Sequence, residues 1–80
     1  MKRRLLTRGQ LAVEIEKMIK QSTRPGSICS EVRVGSIVAI APDKDGCNWM
    51  LEGYIGHSSC AADVEEAAQI VRQDFNLAAA

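Results

Sequence analysis

The sequence predicts one small α+β domain in which a helix, two strands and a second helix follow in order, with both helices packed on one face of an antiparallel β-hairpin. Three patterns predict it: apolar residues at helical spacing near the N-terminus, a middle stretch rich in β-branched residues with a turn signal inside it, and a second helical pattern near the C-terminus. The 80 residues, of which 46% are apolar, suffice for one domain, so residues 1–80 are assigned to it.

The first helix is expected from about Thr7 to Ser22, after a flexible basic arm formed by residues 1–6. Its buried face is marked by apolar residues three or four positions apart, namely Leu11, Ile15, Met18 and Ile19. Thr7 and Gln10 have the spacing of a capping box, in which each side chain bonds the backbone N–H of the other. The breaker-rich stretch 22–27 ends the helix.

The middle of the chain is predicted to form a β-hairpin, with strands at about residues 31–41 and 47–55. Valine and isoleucine dominate the first strand, which favours a strand over a helix. The turn lies between Pro42 and Gly46, because Gly46 tolerates the left-handed backbone conformation that closes a hairpin.

Two registers of this hairpin are compatible with the sequence. A four-residue loop places Val38 on the face of Trp49, whereas a three-residue loop with a bulge at Gly46 places Ile37 there. A further bulge at Gly35 could reconcile the two patterns. In either register both faces of the hairpin keep some apolar residues.

The last helix is predicted to begin after His57, with Ser58 or Ser59 as its cap. Its buried face is formed by residues at helical spacing, which are Val64, Ala67, Ala68, Val71 and Phe75. Residues 76–80 are expected to form a frayed tail.

The charge and the cysteine content of the sequence indicate where the protein is located and which partners it could bind. Residues 1–24 hold seven basic and two acidic residues, although the net charge of the whole chain is zero. Three cysteines without a C-x-x-C pair predict no disulfide framework and favour a reducing compartment. No apolar run approaches the ~20 residues of a membrane span. A cytoplasmic protein is therefore expected.

Three chemical sites can be weighed and set aside from their spacing. The turn after Asp43 superficially resembles a calcium loop, but its glycine comes too early and its last ligand position is Tyr54. Zinc would need Cys29, Cys47, His57 and Cys60 to converge, and only His57 and Cys60 are close in sequence. These two also lack a third residue that would orient a nucleophilic pair. We expect no enzyme activity, no metal and no cofactor.

The order helix, strand, strand, helix resembles that of double-stranded-RNA-binding domains. Those domains also have a third strand and a basic start to their last helix. Here the start of the last helix is acidic, with Asp63, Glu65 and Glu66, so the sequence does not assign the chain to that family.

The function favoured by the sequence is a non-enzymatic interaction with another protein through the hairpin face or a strand edge. The candidate surface consists of Trp49, Met50, Tyr54 and Ile37, although a buried Trp49 would instead anchor the core, a role that the small number of aromatic residues favours. The unpaired edge and the leftover apolar residues also predict a homodimer, in which a second chain completes a four-stranded sheet. The alternative is a nucleic-acid-associated protein whose basic arm contacts phosphates through Lys2, Arg3, Arg4 and Arg8.

Overall fold

The structure is a computed structural model that describes residues 3–78. Its helices are α1 (Arg8–Ser22) and α2 (Ala61–Asp74), and its strands are β1 (Arg4–Leu6), β2 (Arg33–Ala39), β3 (Trp49–Ile55) and β4 (Phe75–Leu77). Short 3₁₀ turns at Ile28–Glu31 and Ser58–Cys60 precede β2 and α2. The α+β class with two helices and an antiparallel hairpin is confirmed.

The start of α1 forms as its sequence predicts. The Thr7 hydroxyl accepts a hydrogen bond from the backbone N–H of Gln10 at 3.2 Å, and the Gln10 side chain accepts one from the Thr7 backbone N–H at 2.9 Å. These two bonds satisfy donors that the first turn of a helix otherwise leaves open. The capping box is therefore confirmed.

The hairpin adopts the register in which Ile37 lies opposite Leu51 and Ala39 opposite Trp49. Its turn is closed by bonds from the Gly46 N–H to the Asp43 carbonyl at 2.9 Å and from the Asp43 N–H to the Cys47 carbonyl at 3.0 Å. Gly46 has a φ of 86°, the left-handed conformation that the turn requires. The three-residue loop is thus the one that forms.

The core lies between the two helices and the Trp49 face of the hairpin. Helix α1 packs on α2 and on β2, while α2 packs on β3. The side chains that are buried from the helices and the hairpin are Leu11, Ile15, Ile19, Ile37, Trp49, Val64, Ala67, Ala68 and Val71. Because the apolar stripes of both helices meet one sheet face, neither helix covers the opposite face of the hairpin.

The expectation of a flexible arm and a frayed tail is wrong for the residues described. Arg4–Leu6 and Phe75–Leu77 form a parallel two-stranded sheet, in which Leu6 pairs with Leu77. The pairing is stabilised because the Leu77 side chain is buried and the Ala78 N–H donates to the Leu6 carbonyl at 2.8 Å. Residues 1–2 and 79–80 lie outside the described part of the chain.

The cysteine expectation is also corrected, because Cys29 and Cys60 form a disulfide across 31 residues of sequence. The two 3₁₀ turns that hold them bring their Cα atoms to 5.5 Å, which spacing along the chain could not reveal. Disulfides are commoner in oxidising compartments, so the cytoplasmic location stays a prediction. Within residues 3–78, no helix is long and apolar enough to cross a membrane.

We expect Gly35→Ala to destabilise the hairpin by about 1–3 kcal/mol, since the added Cβ would lie 2.6 Å from the Gly53 carbonyl oxygen. Gly9→Ala in α1 is the matched control, because a Cβ there meets nothing within 4 Å. Urea unfolding of both variants measures the difference. Equal midpoints for the two would contradict the close approach of the strands at Gly35.

Reduction of the Cys29–Cys60 bond should lower the free energy of unfolding by roughly 3–4 kcal/mol, from the loop that the bond closes in the unfolded chain. Thermal melts with and without dithiothreitol measure this change, with thiol content checked by mass. Cys47→Ser, which keeps the disulfide, should show the same dependence on the reductant. A melting temperature that does not change on full reduction would refute the prediction.

Candidate functional site

The two edges of the hairpin differ, because side chains from α1 occupy backbone positions on β2. The Arg8 guanidinium donates through Nε to the Ile37 carbonyl at 3.1 Å, and the Val34 N–H donates to Glu16 Oε2 at 3.0 Å. Glu16 also lies 4.0 Å from the guanidinium of Arg33. The outer edge of β2 is therefore partly closed to another strand.

Within residues 3–78 the outer edge of β3 pairs with no other strand, and Cys47 Sγ covers only its turn end by donating to the Trp49 carbonyl at 3.4 Å. The Ile40 N–H donates across the hairpin to the Asn48 carbonyl at 2.9 Å. Inward and outward backbone groups alternate along an antiparallel ladder, so the N–H and C=O of Leu51 point away from β2. These groups are available to an added strand.

A groove of about 290 Å³ separates this free edge from α2. The side chains that line it include Met50, Leu51, Tyr54, Val64, Ala68 and Gln69. Most of these are apolar, whereas Glu65 and Arg72 add charge along the helix side. The groove runs from the start of α2, where the Tyr54 hydroxyl donates to the His57 carbonyl at 2.8 Å, towards the hairpin turn.

A second, polar cavity of about 420 Å³ lies at the turn end. Its lining is Arg3, Asp43, Asp45, Cys47, Gln69, Arg72 and Gln73. Gln69 and Arg72 line both cavities, so the apolar groove continues into the polar one.

The side chain of Asp43 organises the polar cavity through three contacts. Its Oδ1 accepts the N–H groups of Asp45 at 2.9 Å and Cys47 at 3.1 Å, and its Oδ2 accepts Arg72 Nη2 at 2.9 Å. The Cys47 N–H does most to hold the pKa of Asp43 below its ordinary value, with help from Asp45, Arg72 and Arg3 and against partial desolvation. The carboxylate therefore stays charged and fully engaged.

The free thiol of Cys47 is a structural group in this arrangement. It is 2% exposed, donates to the Trp49 carbonyl at 3.4 Å and accepts from Arg72 Nε at 3.4 Å. Since a reactive cysteine needs access to its partner, burial makes this thiol a packing residue.

The candidate interaction residues divide into two groups. Trp49 and Ile37 are buried, at 0% and 7% exposure, because they point into the core, so their assignment to a surface is wrong. Met50 is 43% exposed and Tyr54 is half-buried, and both line the groove. The sequence missed the helix side of the groove, since helical spacing could not show which strand faces Arg72.

The basic residues named for nucleic-acid contact are also engaged by the fold. Arg4 lies over the Phe75 ring at 5.8 Å, Arg8 bonds the Ile37 carbonyl, and Arg3 lines the polar cavity. Lys2 lies outside the described residues. These side chains therefore do not form a free basic arm in the part of the chain described.

The potential metal ligands do not gather into a site within residues 3–78. Cys29 and Cys60 are joined to each other, and the Nδ1 atom of His57 accepts the Ser59 N–H at 3.0 Å. His57 thereby caps the turn before α2, a role that the sequence had given to a serine.

Comparisons with known proteins return no match: no family model, no curated protein and no solved structure is significantly similar to this chain.

We expect Arg72→Gln to raise the pKa of Asp43 without restoring its ordinary value, because the two backbone N–H bonds remain. A carbon-detected NMR titration measures this. Arg33→Gln, which removes a distant arginine, is the control and should leave the titration unchanged.

Because the folded pKa is lowered, Asp43 contributes stability above its unfolded pKa of about 3.9, and this is lost as the pH falls through the folded pKa. The measurement is the free energy of unfolding of the wild type and of Asp43→Asn as a function of pH. If the wild type stays more stable than Asp43→Asn below the folded pKa, the prediction is wrong.

Proposed function

We propose that this protein is a small non-enzymatic interaction protein that binds an extended segment of a partner protein along the free edge of β3. The observation that carries the proposal is the inequality of the two hairpin edges: α1 side chains occupy the edge of β2, whereas β3 borders an apolar groove. An added strand would gain backbone bonds from the outward groups of Leu51.

The groove supports the proposal because strand addition places alternate side chains on one side of the added chain. Those side chains would lie in the groove beside α2 and contact Met50, Tyr54 and Val64. Backbone bonds would supply affinity, and the groove would supply selectivity among apolar side chains.

The same edge supports a homodimer as the second form of this interaction. Two copies related by a two-fold axis would join their β3 strands into a four-stranded sheet, which is more stable than a two-stranded one in water. Met50 and Ile55, at 43% and 70% exposure, are the apolar side chains of β3 that such an interface would cover. Partner segment and second copy would then compete for one edge.

Nucleic-acid association is the weaker proposal for this chain. Arg4 and Arg8 are held against Phe75 and Ile37, and the chain has no net charge to concentrate a polyanion. A salt-sensitive affinity for DNA or RNA that is lost on removing residues 1–6 would favour it over protein binding.

Met50→Lys should weaken binding at the β3 edge, because it places a charge in the groove. We expect heptapeptides enriched from a random display library on the wild-type protein to bind this variant at least about tenfold more weakly, or ~1.4 kcal/mol. Val13→Lys is the matched control, since Val13 is 60% exposed on α1 and does not line that groove. Amide NMR shifts should centre on Leu51 and its neighbours.

Sedimentation at increasing concentration tests the homodimer with the same two variants. We expect the wild type and Val13→Lys to approach twice 8.7 kDa and Met50→Lys to remain near 8.7 kDa. An enriched peptide should return the wild type to the smaller mass. Failure to enrich any peptide, or equal binding by Met50→Lys, contradicts the proposed function. A wild type that stays at the smaller mass contradicts the dimer alone.

A further inference from the structure

Resting on that proposed function, we infer that the segment bound along β3 carries a carboxylate, which Arg3 and Arg72 receive in the polar cavity at the turn end of the groove. The inference specifies the chemistry of the partner. It follows from the continuity of the two cavities and from the donors that the polar one leaves unsatisfied.

The path of a bound segment leads into the polar cavity. Tyr54 bonds the turn that precedes α2, and Arg72 near the end of α2 contacts Cys47, so strand and helix run side by side in opposite directions. Gln69 lines both cavities. A chain paired with β3 therefore comes to the two arginines where it passes the hairpin turn.

The polar cavity offers more hydrogen-bond donors than its own acceptors use. Asp43 is satisfied by two backbone N–H groups and by one nitrogen of Arg72. A guanidinium has five N–H donors, and among the described residues Arg72 uses only two of its nitrogens, one of them on the weak acceptor sulfur of Cys47. The Nε atom of Arg3 is buried and has no partner within residues 3–78.

The unused N–H groups of Arg72 can therefore bind an acceptor that a ligand brings into the cavity, and the guanidinium of Arg3 adds a second positive charge there. A carboxylate fits because its two oxygens match the donors of a guanidinium. Asp43 and Asp45 also line the cavity, and their negative charges would oppose a phosphate dianion more than a singly charged carboxylate. An acidic side chain or a C-terminal carboxylate is therefore the favoured group.

The test uses heptapeptides enriched on the wild-type protein from a library displayed with free C-termini. We expect these peptides to share an acidic side chain or a required terminal carboxylate, a fixed number of residues from an apolar one. Synthesis with glutamine in place of glutamate, or with a terminal amide, should weaken binding about tenfold. Inorganic phosphate should not compete at matched ionic strength.

Gln73→Glu places a negative charge at the cavity, which repels the carboxylate of an acidic peptide. The affinity for the acidic peptides should fall about five- to tenfold, while the affinity for their neutral analogues should not change. Gln21→Glu is the matched control, because both glutamines are exposed in the last turn of a helix. Arg72→Gln is a second variant, used after its fold is verified by circular dichroism, and it should abolish the preference for acid.

The outcomes separate this inference from the function on which it rests. The proposed carboxylate is wrong if the enriched peptides show no preference for an acidic group, or if Gln73→Glu and Gln21→Glu bind them equally. Either result leaves the proposed strand addition intact. If inorganic phosphate displaces the acidic peptides, the carboxylate is also wrong and the cavity binds phosphate instead. Failure to enrich any peptide overturns both.

Discussion

The structure depends on one anchor, the side chains of Asn48 and Trp49 at the start of β3. The indole of Trp49 is fully buried, and its Nε1–H donates to the Phe75 carbonyl at 3.0 Å. The Asn48 amide exchanges two bonds with the backbone of Leu77, at 3.0 and 2.8 Å, as a neighbouring strand would. Burial of an aromatic side chain of this size corresponds to roughly 4–6 kcal/mol of transfer free energy. Because Phe75–Leu77 in turn pairs with Arg4–Leu6, this anchor joins the hairpin to both ends of the chain.

The anchor also determines which surface remains free. It directs the only tryptophan inward, so the sheet face that carries it becomes core and Met50 is left on the outside. Meanwhile α1 reaches the edge of β2 through Arg8 and Glu16, whereas a groove lies between α2 and the outer edge of β3. A small domain with a thin core can tolerate such a gap, because cross-links hold the elements around it.

Two cross-links act at opposite ends of that groove. At one end the Cys29–Cys60 disulfide ties the turn before β2 to the turn before α2. At the other end Arg72 joins the last part of α2 to the hairpin turn through Asp43 and Cys47. The helix is thereby held at a set distance from the free strand, and a rigid groove loses less conformational entropy when a ligand binds.

The sequence by itself determined the local elements: the capping box at Thr7 and Gln10, the turn that needs Gly46, and the apolar stripes of both helices. Each depends on residues a few positions apart, so its physical cause is visible in a short window. Only the tertiary structure decided the hairpin register, the disulfide, the pairing of the two termini and the approach of Arg72 to Asp43. Apart from the register, these contacts join residues about 30 or more positions apart, and a single sequence carries no signal for which distant partners meet. The groove also depends on contacts between distant residues, because α2 forms one of its sides. Met50 and Tyr54 were therefore predicted from the sequence, whereas the helix that faces them was not.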